Sequence, residues 1–114
     1  LSEAVSELVQ YISSPEIKLG LADEIKFQLI DQEITADFKK HWPQAKFTKI
    51  DGIRMDLPEQ MAIIRASQNG PYVTVKFEGK TKEQYQTLKK EIRNILKQYP
   101  AVNWQEGTNV HALD

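Results

Sequence analysis

Cysteine is absent from these 114 residues. That excludes a disulfide framework, a thiolate nucleophile and a thiolate metal site. No apolar run approaches the ~20 residues of a membrane-spanning helix, and the opening LSEAVSELVQ is too polar for the hydrophobic core of a signal peptide. An excess of one charge is also missing. The formal net charge is -1, whereas general nucleic-acid binders carry a clustered basic face. The two histidines, His41 and His111, stand far apart without carboxylates at ligand spacing, so no zinc site is expected. Asp51 and Asp56 show no spacing suited to acid–base catalysis. What remains is a chain 40% hydrophobic and 27% charged, the composition of one soluble domain, with the cytoplasm as its expected location. It begins at Leu1 inside a periodic pattern, without an initiating Met, and is expected to be a piece of a longer protein.

Leu1, Val5, Leu8 and Ile12 share one helical stripe. This helix is expected to stop before SSPEI, where Pro15 biases Ser14 away from helical geometry. It either docks on the rest of the domain or belongs to a neighbour; the linker-like Ser-Ser-Pro and the missing cap favour the neighbour. A second helix is expected from Ala22 to about His41, acidic at its start and basic at its end, as the macrodipole favours. Ile25, Leu29, Ile34 and Phe38 form its apolar face, widened by Phe27 and Ile30. Strands are expected at Gly52–Leu57 and Gln60–Arg65, joined by a turn at Pro58 and Glu59, with a further short strand possible at Lys46–Ile50. Tyr72–Glu78 alternates, Val73, Val75 and Phe77 facing one way. Thr81 and Gln84 then stand at capping-box spacing before a helix over Lys82–Tyr99, whose stripe is Tyr85, Leu88, Ile92, Ile95, Leu96 and Tyr99. The last residues, AVNWQEGTNVHALD, show no period and predict an irregular extension. The order gives an α+β domain: a curved antiparallel sheet with helices packed on one face and the other face open.

One bend concentrates anion-binding chemistry. In RASQNGP the apolar strand ends at Arg65, and Ser67, Gln68 and Asn69 follow before Gly70 and Pro71. A guanidinium is a rigid fork of donors, a hydroxyl and two amides add more, and successive backbone amides in a turn can form a nest for an anion. The same residues also make ordinary hairpin turns; the flanking arginine is the unusual element. Arg54 and Lys76 lie on the non-apolar parity of their strands, so they serve either as secondary phosphate contacts or as solvated strand charges. Trp42 and Trp104 lack an interleaved basic surface and fit packing better than base stacking.

DGIR at 51–54, RASQNGP at 65–71, YVTVKFEGKTKEQ at 72–84 and the amphipathic helix beyond together resemble the C-terminal domain of the α-D-phosphohexomutases, the bacterial phosphomannomutase/phosphoglucomutase group in particular. SSPEI at 13–17 resembles the family's linker into its last domain. The resemblance implies a TATA-box-binding-protein-like fold, with 1–12 as the end of a preceding domain, 13–21 as interdomain linker, 22–100 as the domain and 101–114 as the extension. It implies that Arg65, Ser67, Gln68 and Asn69 grip the substrate phosphate, with Gly70, Lys76 and Arg54 as secondary contacts. It further implies an enzyme that interconverts hexose 1-phosphate and hexose 6-phosphate through a bisphosphorylated intermediate that reorients. Charge-assisted hydrogen bonds suit a loop that must hold a phosphate in two sugar poses.

No catalytic residue and no metal ligand is expected in this chain, and the isolated fragment is expected to be inactive. Mg²⁺ and hexose 1,6-bisphosphate are implied for the full enzyme only. The implied partners are a hexose phosphate and the preceding domains of the same enzyme, with neither nucleic acid nor membrane. Gln68, Asn69 and Gly70 depart from the family pattern. That departure motivates an alternative reading: a non-catalytic binding or regulatory module on the same fold. A nucleic-acid module is a weaker third, opposed by the charge balance.

Overall fold

In the computed structural model, residues 11–66 and 70–114 are described; the helix expected over 1–12 lies outside them except for Tyr11 and Ile12. The strands are β1 (Ile12–Ser13), β2 (Ile17–Gly20), β3 (Lys46–Ile50), β4 (Gly52–Leu57), β5 (Gln60–Ala66), β6 (Tyr72–Gly79) and β7 (Asn103–Thr108). The helices are α1 (Asp23–Gln28), a π-helical segment (Leu29–Ile34), α2 (Thr35–His41) and α3 (Lys82–Leu96), followed by a short 3₁₀ turn at Val110–Leu113. The strands form one curved antiparallel sheet in the order β3-β4-β5-β6-β2-β7, with β1 also paired to β6.

Alternation decides which face of the sheet is covered. Ile53, Met55, Ala62, Ile64, Val73, Val75 and Phe77 are all buried under the helices. Arg54, Arg65 and Lys76, of opposite parity, are exposed. A helix start and a strand therefore meet tightly at one corner: the Tyr85 ring packs on Phe77 with centroids 5.0 Å apart. The capping box at Thr81 forms as expected, with Thr81 Oγ1 accepting from Gln84 N at 3.1 Å and Gln84 Oε1 accepting from Thr81 N at 3.0 Å. The helix ends at Leu96, before Tyr99, whose hydroxyl instead donates to Asp37 in α2.

Three expectations change. First, residues 13–21 are not a free linker. Ile17, Leu19 and Leu21 are buried, and β2 is an interior strand between β6 and β7. The Ser-Ser-Pro signal marks a bulge, not an exit. The pairing register slips by one residue between Ser13↔Glu78 and Ile17↔Val75. Ser14 bridges the slip with its buried side chain, which accepts from Phe77 N at 3.0 Å, while Ser14 N donates to Phe77 O at 2.9 Å. Second, the tail is not irregular. β7 pairs with β2, and Asn109, in the left-handed region at φ 59°, donates from Nδ2 to Glu16 O at 3.0 Å. Backbone pairing holds this edge strand, so its side chains need no apolar period.

Third, the face of the long helical stretch is turned. Leu29, Ile30, Ile34 and Phe38 are buried as expected, but Ile25 and Phe27 are exposed and Lys26 is buried. The covered stripe runs Lys26, Ile30, Ile34, Phe38, each four residues on. In a pure α-helix each such step overshoots one turn by about 40°. The π segment widens the turn and keeps the stripe on one line; Thr35 N and Thr35 Oγ1 both bond to Ile30 O, the latter at 2.7 Å.

Candidate functional site

Arg65 stands at the last outward-facing position of β5, opposite Gly52 on one side and Thr74 on the other. Its guanidinium projects from the uncovered face and is about half exposed, at 52%. Asp51 meets it: Arg65 Nη2 lies 3.2 Å from Asp51 Oδ2, and Asp51 O accepts from Ala66 N at 2.8 Å. So the aspartate that opens the DGIR segment orients the arginine at the mouth of the bend. The next residue has to be glycine. Gly52 sits at φ 146°, and a Cβ there would fall 2.0 Å from Ile64 O. The close approach of β4 to β5 that brings Asp51 to Arg65 depends on that missing side chain.

The exit of the bend is pinned by backbone. Gly70 O accepts from Tyr72 N at 2.8 Å, and Pro71 O accepts from Leu21 N at 2.8 Å. Gly70 O also accepts from Lys26 Nζ at 2.8 Å, a partner that the sequence reading missed. The signal for it was present, since Lys26 is on the four-residue stripe with Ile30, Ile34 and Phe38. Ser67, Gln68 and Asn69 lie outside the described residues. Arg65 and Gly70 thus mark the entry and exit of the expected phosphate loop.

Arg54 and Lys76 are brought together on the open face, on either side of Ile63 and one row from Arg65. Arg54 is already engaged. Its Nε and Nη2 make a fork to Asp56, at 3.0 to 3.2 Å, and those hydrogen bonds, followed by the Asp56 charge, raise the guanidinium pKa further above its already high value. Lys18, opposite Thr74 in the Arg65 row, adds a cation that the sequence reading passed over. On the helix side of the same corner lies a cleft of about 180 Å³ lined by Phe27, Asp31, Lys49, Asp51, Gly52 and Ala66. Among the described residues no three of His, Asp and Glu gather as a metal-holding group, and no helix is long and apolar enough to cross a membrane.

An α+β domain with an arginine-led bend on its open sheet face is the class that this geometry defines. Residues 16–95 match the family model described as phosphoglucomutase/phosphomannomutase, C-terminal domain. The chain belongs to that family of domains. It is similar to a phosphomannomutase/phosphoglucomutase of Pseudomonas putida, 36% identical over 86 residues, which are 75% of this chain and 18% of the relative. The corresponding protein of Pseudomonas aeruginosa is 33% identical over the same shares. A solved phosphoglucomutase/phosphomannomutase family protein from Burkholderia thailandensis superposes with a TM-score of 0.65 at 29% identity, covering 90% of this chain and 21% of the other. The chain therefore spans about a fifth of the length of the proteins it matches. The matched region begins at residue 16, so β2 belongs to the family domain and not to a linker ahead of it.

Proposed function

We propose that this domain grips the phosphate of a hexose phosphate within a phosphomannomutase/phosphoglucomutase that interconverts hexose 1-phosphate and hexose 6-phosphate. Arg65 is the principal contact, joined by Ser67, Gln68 and Asn69, with Gly70, Lys76 and Arg54 in a secondary role. The observation that carries the reading is the half-exposed guanidinium of Arg65, held by Asp51 at the mouth of the bend on the uncovered sheet face. A guanidinium so placed offers donors to a phosphate while its aspartate limits its rotamers. Arg54 reaches a second phosphate oxygen only by leaving Asp56, which ranks it below Lys76.

The grip is binding chemistry. Proton and phosphoryl transfer, and the Mg²⁺ and hexose 1,6-bisphosphate that the family implies, are assigned in this proposal to parts of the enzyme beyond this chain. The cytoplasm, where sugar phosphates are available, is the proposed location.

The test is a backbone-amide NMR titration of the chain with mannose 1-phosphate and, separately, inorganic phosphate. Shifts centred on residues 65–70 and abolished by Arg65→Met are expected. A folded chain with no localised shifts at high ligand concentration defeats the reading. Substantial conversion of mannose 1-phosphate by this chain alone would defeat the assignment of catalysis elsewhere.

A further inference from the structure

We infer that Lys26 is a positioning residue for the bend between β5 and β6. Its ammonium fixes the Gly70 carbonyl at the bend's exit and so helps to hold the proposed phosphate site in shape. The inference rests on the phosphate reading above. Lys26 is only 4% exposed and occupies a stripe whose next members, Ile30, Ile34 and Phe38, are buried hydrocarbons. An apolar side chain would satisfy packing there at no desolvation cost, whereas a buried ammonium needs close polar partners. It has them: Gly70 O at 2.8 Å, from a residue far along the chain, and Asp23 Oδ1 at 2.7 Å, one turn back and largely in solvent.

The Gly70 contact matters for the bend. Gly70 O also accepts from Tyr72 N at 2.8 Å, closing a three-residue turn. With Lys26 on the same oxygen, both acceptor positions of that carbonyl are used. Its peptide plane is thereby fixed from two directions, and with it the direction in which the chain enters β6. The ammonium's own charge is balanced by Asp23 Oδ1 at 2.7 Å, so its effect on an anion in the bend runs through the placement of Gly70.

The experiment compares the chain with its Lys26→Met and Lys26→Arg variants. Each is titrated with inorganic phosphate, and amide hydrogen exchange at Tyr72 is measured without ligand. Methionine keeps the stem and removes charge and donor; arginine keeps both. We expect Lys26→Met to weaken phosphate binding about tenfold and to speed exchange at Tyr72, and Lys26→Arg to recover most of each. Should Lys26→Met fail to fold, Lys26→Leu, which also lacks charge and donor, carries the same comparison. Phosphate binding at the bend that is unchanged in the uncharged variant overturns the inference. If the parent chain shows no phosphate binding, the phosphate reading fails on its own. The positioning role is then decided by Tyr72 exchange: faster in Lys26→Met upholds it, unchanged overturns it.

Discussion

Replacing Gly52 with alanine tests how the corner of the sheet is built. Two costs are visible. The residue sits at φ 146°, a region that L side chains rarely adopt, which costs about 1–3 kcal/mol. The added Cβ would also fall 2.0 Å from Ile64 O and 2.8 Å from Arg65 Cα. Both are backbone atoms, so no side-chain rotation relieves the overlap; such forced shifts cost about 1–3 kcal/mol. Together they predict a loss of about 3 kcal/mol, a large part of the ~5–15 kcal/mol that holds a domain folded. With a urea m-value of ~1.5 kcal/mol/M, the unfolding midpoint should fall by about 2 M at unchanged slope. Gly20→Ala is the control. Its Cβ would meet mainly side-chain atoms of Asn103 and Glu106 at 3.0 Å or more, so a change within about 1 kcal/mol is expected. Equal losses in the two variants, or a loss below ~0.5 kcal/mol for Gly52→Ala, would refute the reasoning. In that case the pairing of Asp51 with Arg65 does not depend on the close approach of β4 to β5.

Three further outcomes follow from the same geometry. Thr81→Ala removes the acceptor for Gln84 N in the capping box and should cost ~1 kcal/mol in urea unfolding; no change would mean that α3 starts without help from its cap. Burial first, then the hydrogen bond and charge of Asp37, raise the Tyr99 hydroxyl pKa. Its stabilising contribution is therefore complete below the unfolded value of ~10 and declines as pH rises above it. Tyr99→Phe should reduce the alkaline loss in melting temperature between pH 9 and pH 11, assayed at ~0.1 M salt, leaving the share of Tyr85, whose hydroxyl pKa is also raised by burial; an unaltered pH profile would assign the whole loss to other groups. Asp51 and Arg65 are each about half exposed, so Asp51→Asn should change stability by less than ~1 kcal/mol. It should tighten phosphate binding two- to about fivefold, because a carboxylate no longer repels the anion; weaker binding in the titration would show that orienting Arg65 outweighs repulsion.

The parts of the fold written in strict periods were legible in the sequence. The alternation from Tyr72, the stripe from Tyr85 and the Thr81–Gln84 spacing each correspond to the observed element. What stayed hidden was structure held by backbone pairing. The Ile17-Lys-Leu-Gly-Leu alternation is strand-like, but Pro15 ahead of it suggested a linker, and nothing local reveals that Ser14 lends its hydroxyl to the sheet. β7 exposes nearly all its side chains, so no pattern of burial could mark it. In the helical stretch, an apolar count placed Ile25 and Phe27 inward. The π segment instead carries a four-residue stripe that begins with a lysine. At the candidate site, Arg65 was proposed from its chemistry and lies exposed on the open sheet face. Asp51 and Lys26 reach Arg65 and Gly70 only through long-range contacts, which spacing along the chain does not encode.

The place of β2 in the sheet also has a kinetic side. Strands β3 to β6 form a meander, each pairing with the next across a short connection, and such local pairings close early. β2 comes before all of them yet lies between β6 and β7, with Lys18 facing both Thr74 and Thr108. Its slot does not exist until the far end of the chain has been made. A strand made before its neighbours is thus among the last to find its seat, and until then its Ile17 and Leu19 remain uncovered. The slow step in folding this small domain is expected to be that insertion, and the unpaired edge of β6 is the surface most exposed to wrong partners while it waits.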